Sequence, residues 1–232
     1  MSNKVVQFSR IGTVTFSRNR RSKNIKISVK PDKTVLVSFP FYVSGKEVVS
    51  FVQKNEDWIK QQQRKFELKK NRIEAGSELK TKLHTLLFFN GEKNNIVTDG
   101  NRISVFVTDF SSEKNQEYIE NMLTQIYRYE AKKLLPVRIN QLAVKHGFQY
   151  NNVTIRNNRR NWGSCSERNN ISLNLQMMKL PVELIDYILL HELVHTKVKN
   201  HSPDFWKQLD QLTGGNARHL AKQVKQFSTY TL

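Results

Sequence analysis

The segment HELVHTKVKNH, residues 191–201, holds three of the chain's six histidines and one glutamate within eleven positions. It restricts the fold more than any other stretch. On a helix, residues four apart lie on nearly one face, so His191 and His195 can present two imidazoles to one ion. Glu192 is turned about 100° from His191, away from a comfortable ligand position but within reach of a water beside the ion. His201 then constrains the backbone. On a straight helix it would stand about 15 Å along the axis from His191, too far to share an ion. The chain therefore has to reverse after the second histidine. The interval Thr196-Lys197-Val198-Lys199-Asn200 permits this, with Asn200 suited to a left-handed conformation.

The HExxH pattern recurs by chance, and the plain alternative is a helix that carries a glutamate and two histidines on its edge. Two features favour a metal site. The preceding IDYILL is apolar, so the helix is expected to be buried and its polar residues need partners. The third histidine follows at ten residues. Two nitrogen ligands, a third protein ligand, an open position for water and a nearby carboxylate make up the site of a metal-assisted hydrolase. His201 is the expected third ligand, with Glu183, Asp204 and Asp210 as alternatives; nitrogen donors favour Zn2+. The ten-residue offset equals that of the metzincin pattern HExxHxxGxxH. Val198 stands where that pattern has its turning glycine, and no methionine follows to make a Met-turn, so a metzincin is not expected.

The rest of the chain predicts an α+β fold. IGTVTFS (11–17), NIKISVK (24–30) and TVLVSF (34–39) read as strands, with a turn at Pro31-Asp32-Lys33. Ser44-Gly45-Lys46-Glu47 has the form of a capping box and opens a helix to about residue 68. HTLLFF (84–89), NNIVT (94–98) and RISVFVT (102–108) are further strands, and Asn90-Gly91 and Asp99-Gly100 are hairpin signals. Helical spacing starts at 112, is kinked or interrupted at Pro136, and closes at Gly147. VTIRN (153–157) and NISLNL (170–175) are short strands around Trp162-Gly163-Ser164-Cys165-Ser166. Pro181 suits a helix start, Ser202-Pro203-Asp204 starts another helix, and Asn216 is positioned to cap a last one. No internal sequence repeat is visible. The expected division is a β-rich basic N-terminal part with a helix, 1–110, and an α-rich, zincin-like metal-binding part, 111–232, the two sharing a core if the domain is continuous.

Charge adds a second theme. With 38 Lys and Arg against 20 Asp and Glu, the net charge is +18, and residues 1–70 carry 16 of the cations and 5 of the anions. The densest piece, RNRRSKNIK (18–26), reads as a basic hairpin. Such a field draws nucleic acid or another polyanion, or simply keeps the surface solvated. The single cysteine, Cys165, cannot make an internal disulfide, and no run of about 18 apolar residues exists to span a membrane. A cytoplasmic protein without membrane contact is expected.

WGSCS (162–166), ISLNLQ (171–176), LPVELIDYILLHELVH (180–195) and NHSPDFW (200–206), in this order, resemble the YgjP-like metal-dependent hydrolases. That family is grouped with the metallopeptidases and is distantly similar to the SprT-like proteases. Upstream, VKPDKTVLVSFP (29–40) and FVQKNEDWIKQQ (51–62) match its N-terminal pattern, so the resemblance covers nearly the whole chain. It implies His191, His195 and His201 as zinc ligands, Glu192 as general base, and a peptide substrate. It also implies an alternative, since the group has been described as pyrophosphatases acting on UTP. Here Asn161 replaces the basic residue usual before Trp-Gly-Ser-Cys, with Arg159 or Arg160 able to stand in.

Further candidates surround this core. Arg156, Arg159 and Arg160 could clamp a substrate carboxylate or phosphate. Tyr187, one turn before His191, could donate to an oxyanion or simply pack. Cys165 reads as structural, and His84, His146 and His219 lack partners at ligand spacing. The third reading is a nucleic-acid-associated module with a structural zinc, which would have no use for Glu192.

Overall fold

The computed structural model describes residues 4–30, 33–68 and 72–231; the turn expected at Pro31-Asp32 lies outside the described residues. The chain divides into two units, Met1–Asn71 and Arg72–Leu232.

In the first unit, strands β1 (Lys4–Phe8), β2 (Gly12–Arg18), β3 (Lys26–Val29) and β4 (Val35–Phe39) form one sheet in the order β1-β2-β4-β3. Alternation turns Val14 and Phe16 of β2, and Val35, Val37 and Phe39 of β4, to one buried face. Helix α1 (Gly45–Lys54) begins at the expected capping box: Ser44 N donates to Glu47 Oε2 at 2.8 Å and Glu47 N to Ser44 Oγ at 3.3 Å. The single helix expected to residue 68 is two. Asn55 separates α1 from α2 (Glu56–Leu68), its Nδ2 donating to Phe51 O at 2.7 Å. A short amide side chain competes with the backbone for such carbonyls and ends the helix. Val48, Val52 and Ile59 cover the buried face of the sheet.

β1 and β2 are antiparallel, β2 and β4 parallel, and β3 and β4 antiparallel. The basic segment 18–26 is therefore not a hairpin. It crosses the end of β4, where Asn19 N donates to Phe39 O at 2.9 Å. The second unit repeats this arrangement with β5 (Glu78–Lys80), β6 (Thr85–Asn90), β7 (Asn95–Asp99) and β8 (Arg102–Val107), in the order β5-β6-β8-β7 and with the same directions. The sequence shows no repeat, yet the topology does. Asp99-Gly100 makes its expected hairpin, with Gly100 at φ 55°. Asn90-Gly91 does not: Gly91 N donates to Val107 O at 3.1 Å as the chain crosses β8. A Cβ at Gly91 would lie 2.8 Å from Phe106 Cβ, so the glycine allows a close crossing rather than a tight hairpin.

Helix α3 (Glu113–His146) continues past Pro136 without being interrupted there. Leu135 and Ile139 on either side are fully buried, and packing both halves into one core offsets the lost backbone bond. Gly147, left-handed at φ 65°, ends it as expected. Leu86, Phe88 and Val105 of the second sheet share that core with Leu123 and Ile139 of α3 and with Leu189 and Leu193 further on. The change of character at residue 110 is thus a change of secondary structure within one core; the boundary between units falls at 71/72. His84, outside the histidine cluster as expected, is held by a hydrogen bond. Its Nδ1 lies 2.7 Å from Oε1 of the fully buried Glu130, which also accepts from Lys82 N, Leu83 N and Thr81 Oγ1.

A third sheet, order β10-β11-β9, consists of β9 (Asn152–Arg156), β10 (Gly163–Cys165) and β11 (Asn170–Asn174). A 3-10 turn (Leu175–Lys179) leads into α4 (Val182–Val194), followed by α5 (Pro203–Leu212) and α6 (Ala217–Val224). Arg138 of α3 grips Asp186 of α4 through two bonds of 2.7 and 2.6 Å. Among the described residues no helix is long and apolar enough to cross a membrane.

Candidate metal centre

Helix α4 is buried along most of its length, including Leu189, Leu190, Leu193 and Val194. It stops at Val194, and the chain folds back through Thr196 N to Leu193 O (3.0 Å), Lys197 N to Val194 O (3.0 Å) and Val198 N to Val194 O (2.9 Å). The reversal does not use a left-handed Asn200. The non-glycine residues with positive φ among the described residues are Lys33 and Asn169. Asn200 Oδ1 instead accepts from Ser202 N at 3.3 Å, and Ser202 Oγ caps α5 by accepting from Phe205 N at 3.4 Å. Lys199 steadies the loop from outside, its Nζ donating to Ser166 O at 2.8 Å and Asn169 Oδ1 at 2.6 Å.

This turn brings the three imidazoles together. His195 Nε2 lies 3.2 Å from His191 Nε2 and 3.2 Å from His201 Nε2, and the third side of the triangle is 3.1 Å. Three nitrogens bound tetrahedrally at about 2.0–2.1 Å stand about 3.3 Å apart, so the donor set fits one zinc-sized ion. His195 Nδ1 is 2.9 Å from Val198 O; it donates there, which leaves Nε2 with its lone pair toward the triangle. Burial, then the neighbouring imidazoles, lowers the pKa of His191 to about 3; burial also lowers that of His195. Both shifts favour the neutral imidazole, whose lone pair is what a cation would take. Phe205, fully buried, packs against all three rings with centroids 4.5–4.8 Å away. Glu183, Asp204 and Asp210 do not belong to the cluster. Asp210 instead accepts from Ala217 N at 3.0 Å at the start of α6, where Asn216 occupies the expected N-cap position without a side-chain capping bond.

Glu192 is buried, and burial pushes its carboxyl up to about 8. Its Oε2 has no hydrogen-bond partner among the described residues. A buried acid with an idle oxygen is costly without a cation or water to face. Gly163 makes room for it: a Cβ there would stand 2.6 Å from Glu192 Oε1 and 2.7 Å from its Cγ. Gly163 in the WGSCS stretch thus forms the wall of the acid's recess.

The remaining candidates separate. Tyr187 is buried beside His191, ring centroids 6.0 Å apart, and burial raises its pKa to about 12, so its hydroxyl stays protonated. Arg156 lines a small recess with Trp162, Gly163 and Asn174. Arg159 lies over Tyr230, 5.5 Å from the ring centroid, and Arg160 is exposed on the loop. Asn161 donates through Nδ2 to Gly163 O at 2.9 Å, and its own carbonyl accepts from Asn174 Nδ2 at 2.9 Å. It shapes the turn rather than carrying charge. Cys165 is partly buried, and burial raises its thiol pKa. Sequence reading passed over Lys199 and the buried Asn174, although an asparagine inside ISLNLQMM was a visible signal.

Among solved structures, the chain is similar to the metallopeptidase zymogen of Pyrococcus abyssi abylysin, at 24% identity and TM-score 0.37 over 40% of this chain and 93% of that one. It is similar to the zymogen of Methanocaldococcus jannaschii jannalysin at 25% identity and TM-score 0.36, over 39% and 93%. No curated protein matches the chain. The family model for the YgjP-like metallopeptidase domain matches residues 23–226. That match begins after β2, runs from β3 through α6 and takes in Gly163 and all three histidines, and by it the chain belongs to the YgjP-like metallopeptidase family.

Proposed function

We propose that this protein is a zinc-dependent peptidase in which His191, His195 and His201 hold the ion and Glu192 is the general base. The carrying observation is the triangle of three Nε2 atoms, 3.1–3.2 Å on a side, with an idle carboxylate oxygen on the adjoining residue. Zinc bound there supplies Lewis acidity toward water and toward a scissile carbonyl oxygen. With a cation held by the three histidines, the Glu192 pKa would be drawn back down from about 8 and its carboxylate kept ionised; Glu192 Oε2 then takes the proton from the attacking water and returns it to the departing amine nitrogen. Gly163 keeps that carboxylate in place, and Val198 O fixes the His195 tautomer. The protonated Tyr187 hydroxyl is a donor available on the His191 side.

Metal analysis with activity on denatured protein substrates tests this reading. The purified chain should hold one zinc per molecule. Glu192→Gln should retain that zinc while peptide cleavage falls at least about a hundredfold, as expected for loss of a general base. Glu192→Gln cleaving at the parent rate would remove Glu192 from the chemistry. Release of pyrophosphate from UTP, lost in Glu192→Gln and without peptide cleavage, would reassign the site to nucleotides.

A further inference from the structure

We propose that the crossover between β2 and β3, together with Phe41 and Tyr42, forms a binding surface for single-stranded nucleic acid. The proposal does not depend on the metal centre. The crossover segment RNRRSKNIK carries five cations and no acid, and Arg20, Arg21, Lys23 and Lys26 are all exposed. Its shape is ordered: Arg21 N donates to Asn19 Oδ1 at 2.9 Å and Ser22 N to Asn19 O at 3.1 Å. Beside it, Phe41 and Tyr42 are 64% and 67% exposed, an unusual state for two adjacent large rings. They meet edge to face with centroids 5.7 Å apart. Tyr42 Oη donates to Lys23 O at 2.9 Å and so ties the pair to the basic loop, while Asn19 N, donating to Phe39 O at 2.9 Å, holds the loop to the end of β4 just before the two rings.

Cations and open aromatic faces held side by side are what a single strand requires. The cations track phosphates, and the rings stack on bases. A duplex hides its base faces, so the exposed rings favour a single strand over a double one. The carboxylates of this unit whose side chains are described do not neutralise the loop. Glu47 is engaged in the α1 cap, and Glu56 and Asp57 pair with Arg10.

Fluorescence anisotropy of the full-length protein tests the assignment. The probes are labelled oligo(dT), oligo(U) and a DNA duplex of equal length, with vesicles of phosphatidylcholine and phosphatidylserine as the lipid arm. One or both single strands should bind more tightly than duplex or vesicles. The triple substitution Arg20→Ala, Arg21→Ala, Lys23→Ala should flatten the plot of log K against log salt by about 2, at about 0.7 per phosphate lost. Phe41→Ala should weaken binding about fivefold or more at unchanged salt slope, and Phe41→Trp should restore it. Equal or tighter binding to duplex or vesicles, no binding of either oligonucleotide at low salt, or an unaltered Phe41→Ala would overturn the proposal. Each substituted position is exposed, so thermal midpoints should match the parent; a folded Arg21→Glu that binds like the parent would equally overturn it.

Discussion

A methyl group in place of the hydrogen on Gly163 would stand under 3.0 Å from the Oε1, Cγ and Cδ atoms of Glu192. The whole end of that side chain would have to move, and it is buried with little space to accept it. Gly163→Ala should therefore cost about 1–3 kcal/mol of stability through overpacking. Activity should fall at least about tenfold, because displacement of a catalytic group by even 1 Å is expensive. Thermal unfolding and peptide cleavage measured on one preparation, with zinc content unchanged, check both parts. A variant as active as the parent would show that the glycine does not position the acid. That His191 and His195 would bring their imidazoles together was legible in the sequence, because a four-residue step on a helix is a local fact. The role of Gly163 was not, because the side chain it accommodates comes from a helix 29 positions away in the chain.

Between elements, the loop joining α4 to α5 sets the position of His201, the proposed third ligand. Its reversal consists of short-range backbone bonds, while Lys199 pins it to the turn between β10 and β11 at Ser166 and Asn169. Asn169 is itself left-handed, φ 55°, at the tip of that turn. Lys199→Met keeps the length of the side chain and removes its donors. It should weaken zinc about 10–100-fold, the usual effect of losing a group that orients a ligand. Competition against a chelator checks this, with secondary structure by circular dichroism unchanged; parent-like affinity would mean the loop holds His201 without help. That the chain must turn after His195 followed from helix geometry alone. The means of turning did not, since Asn200 suggested a left-handed residue and backbone bonds close the turn instead. The same limit applied to Asn90-Gly91 and to residues 18–26. Both segments resemble hairpins locally, and both cross a neighbouring strand whose position no short window can reveal.

At the scale of the molecule, the tail is tied to the body by a buried cation. Lys179 Nζ donates to Ser228 O at 3.0 Å and also to Tyr230 O, and burial lowers its pKa to about 8, against the weaker opposing pull of Glu120. The unfolded lysine titrates at the ordinary 10.5. Between these values the unfolded chain holds more protons than the folded one, so this group makes stability rise with pH from about 8 to about 10.5. Below about 8 the full penalty of a buried charge applies. Relative to Lys179→Met, the parent should therefore gain about 2 kcal/mol of stability from pH 7 to pH 10, read by urea unfolding at the two values. A gap that narrows or stays constant would contradict the buried state of the ammonium group.

The sequence alone determined the mixed α+β class, the positions of most strands, the capping signals and the identity of the three histidines. Each of these rests on periodicity or on the preferences of neighbouring residues, which act over a few positions. Only the tertiary structure decided that β5–β8 belong to the core of the second unit, that both sheets share one crossed topology, and that Gly163 faces Glu192. These depend on burying apolar faces against partners distant in the chain, and that free energy belongs to the pair of surfaces rather than to either segment.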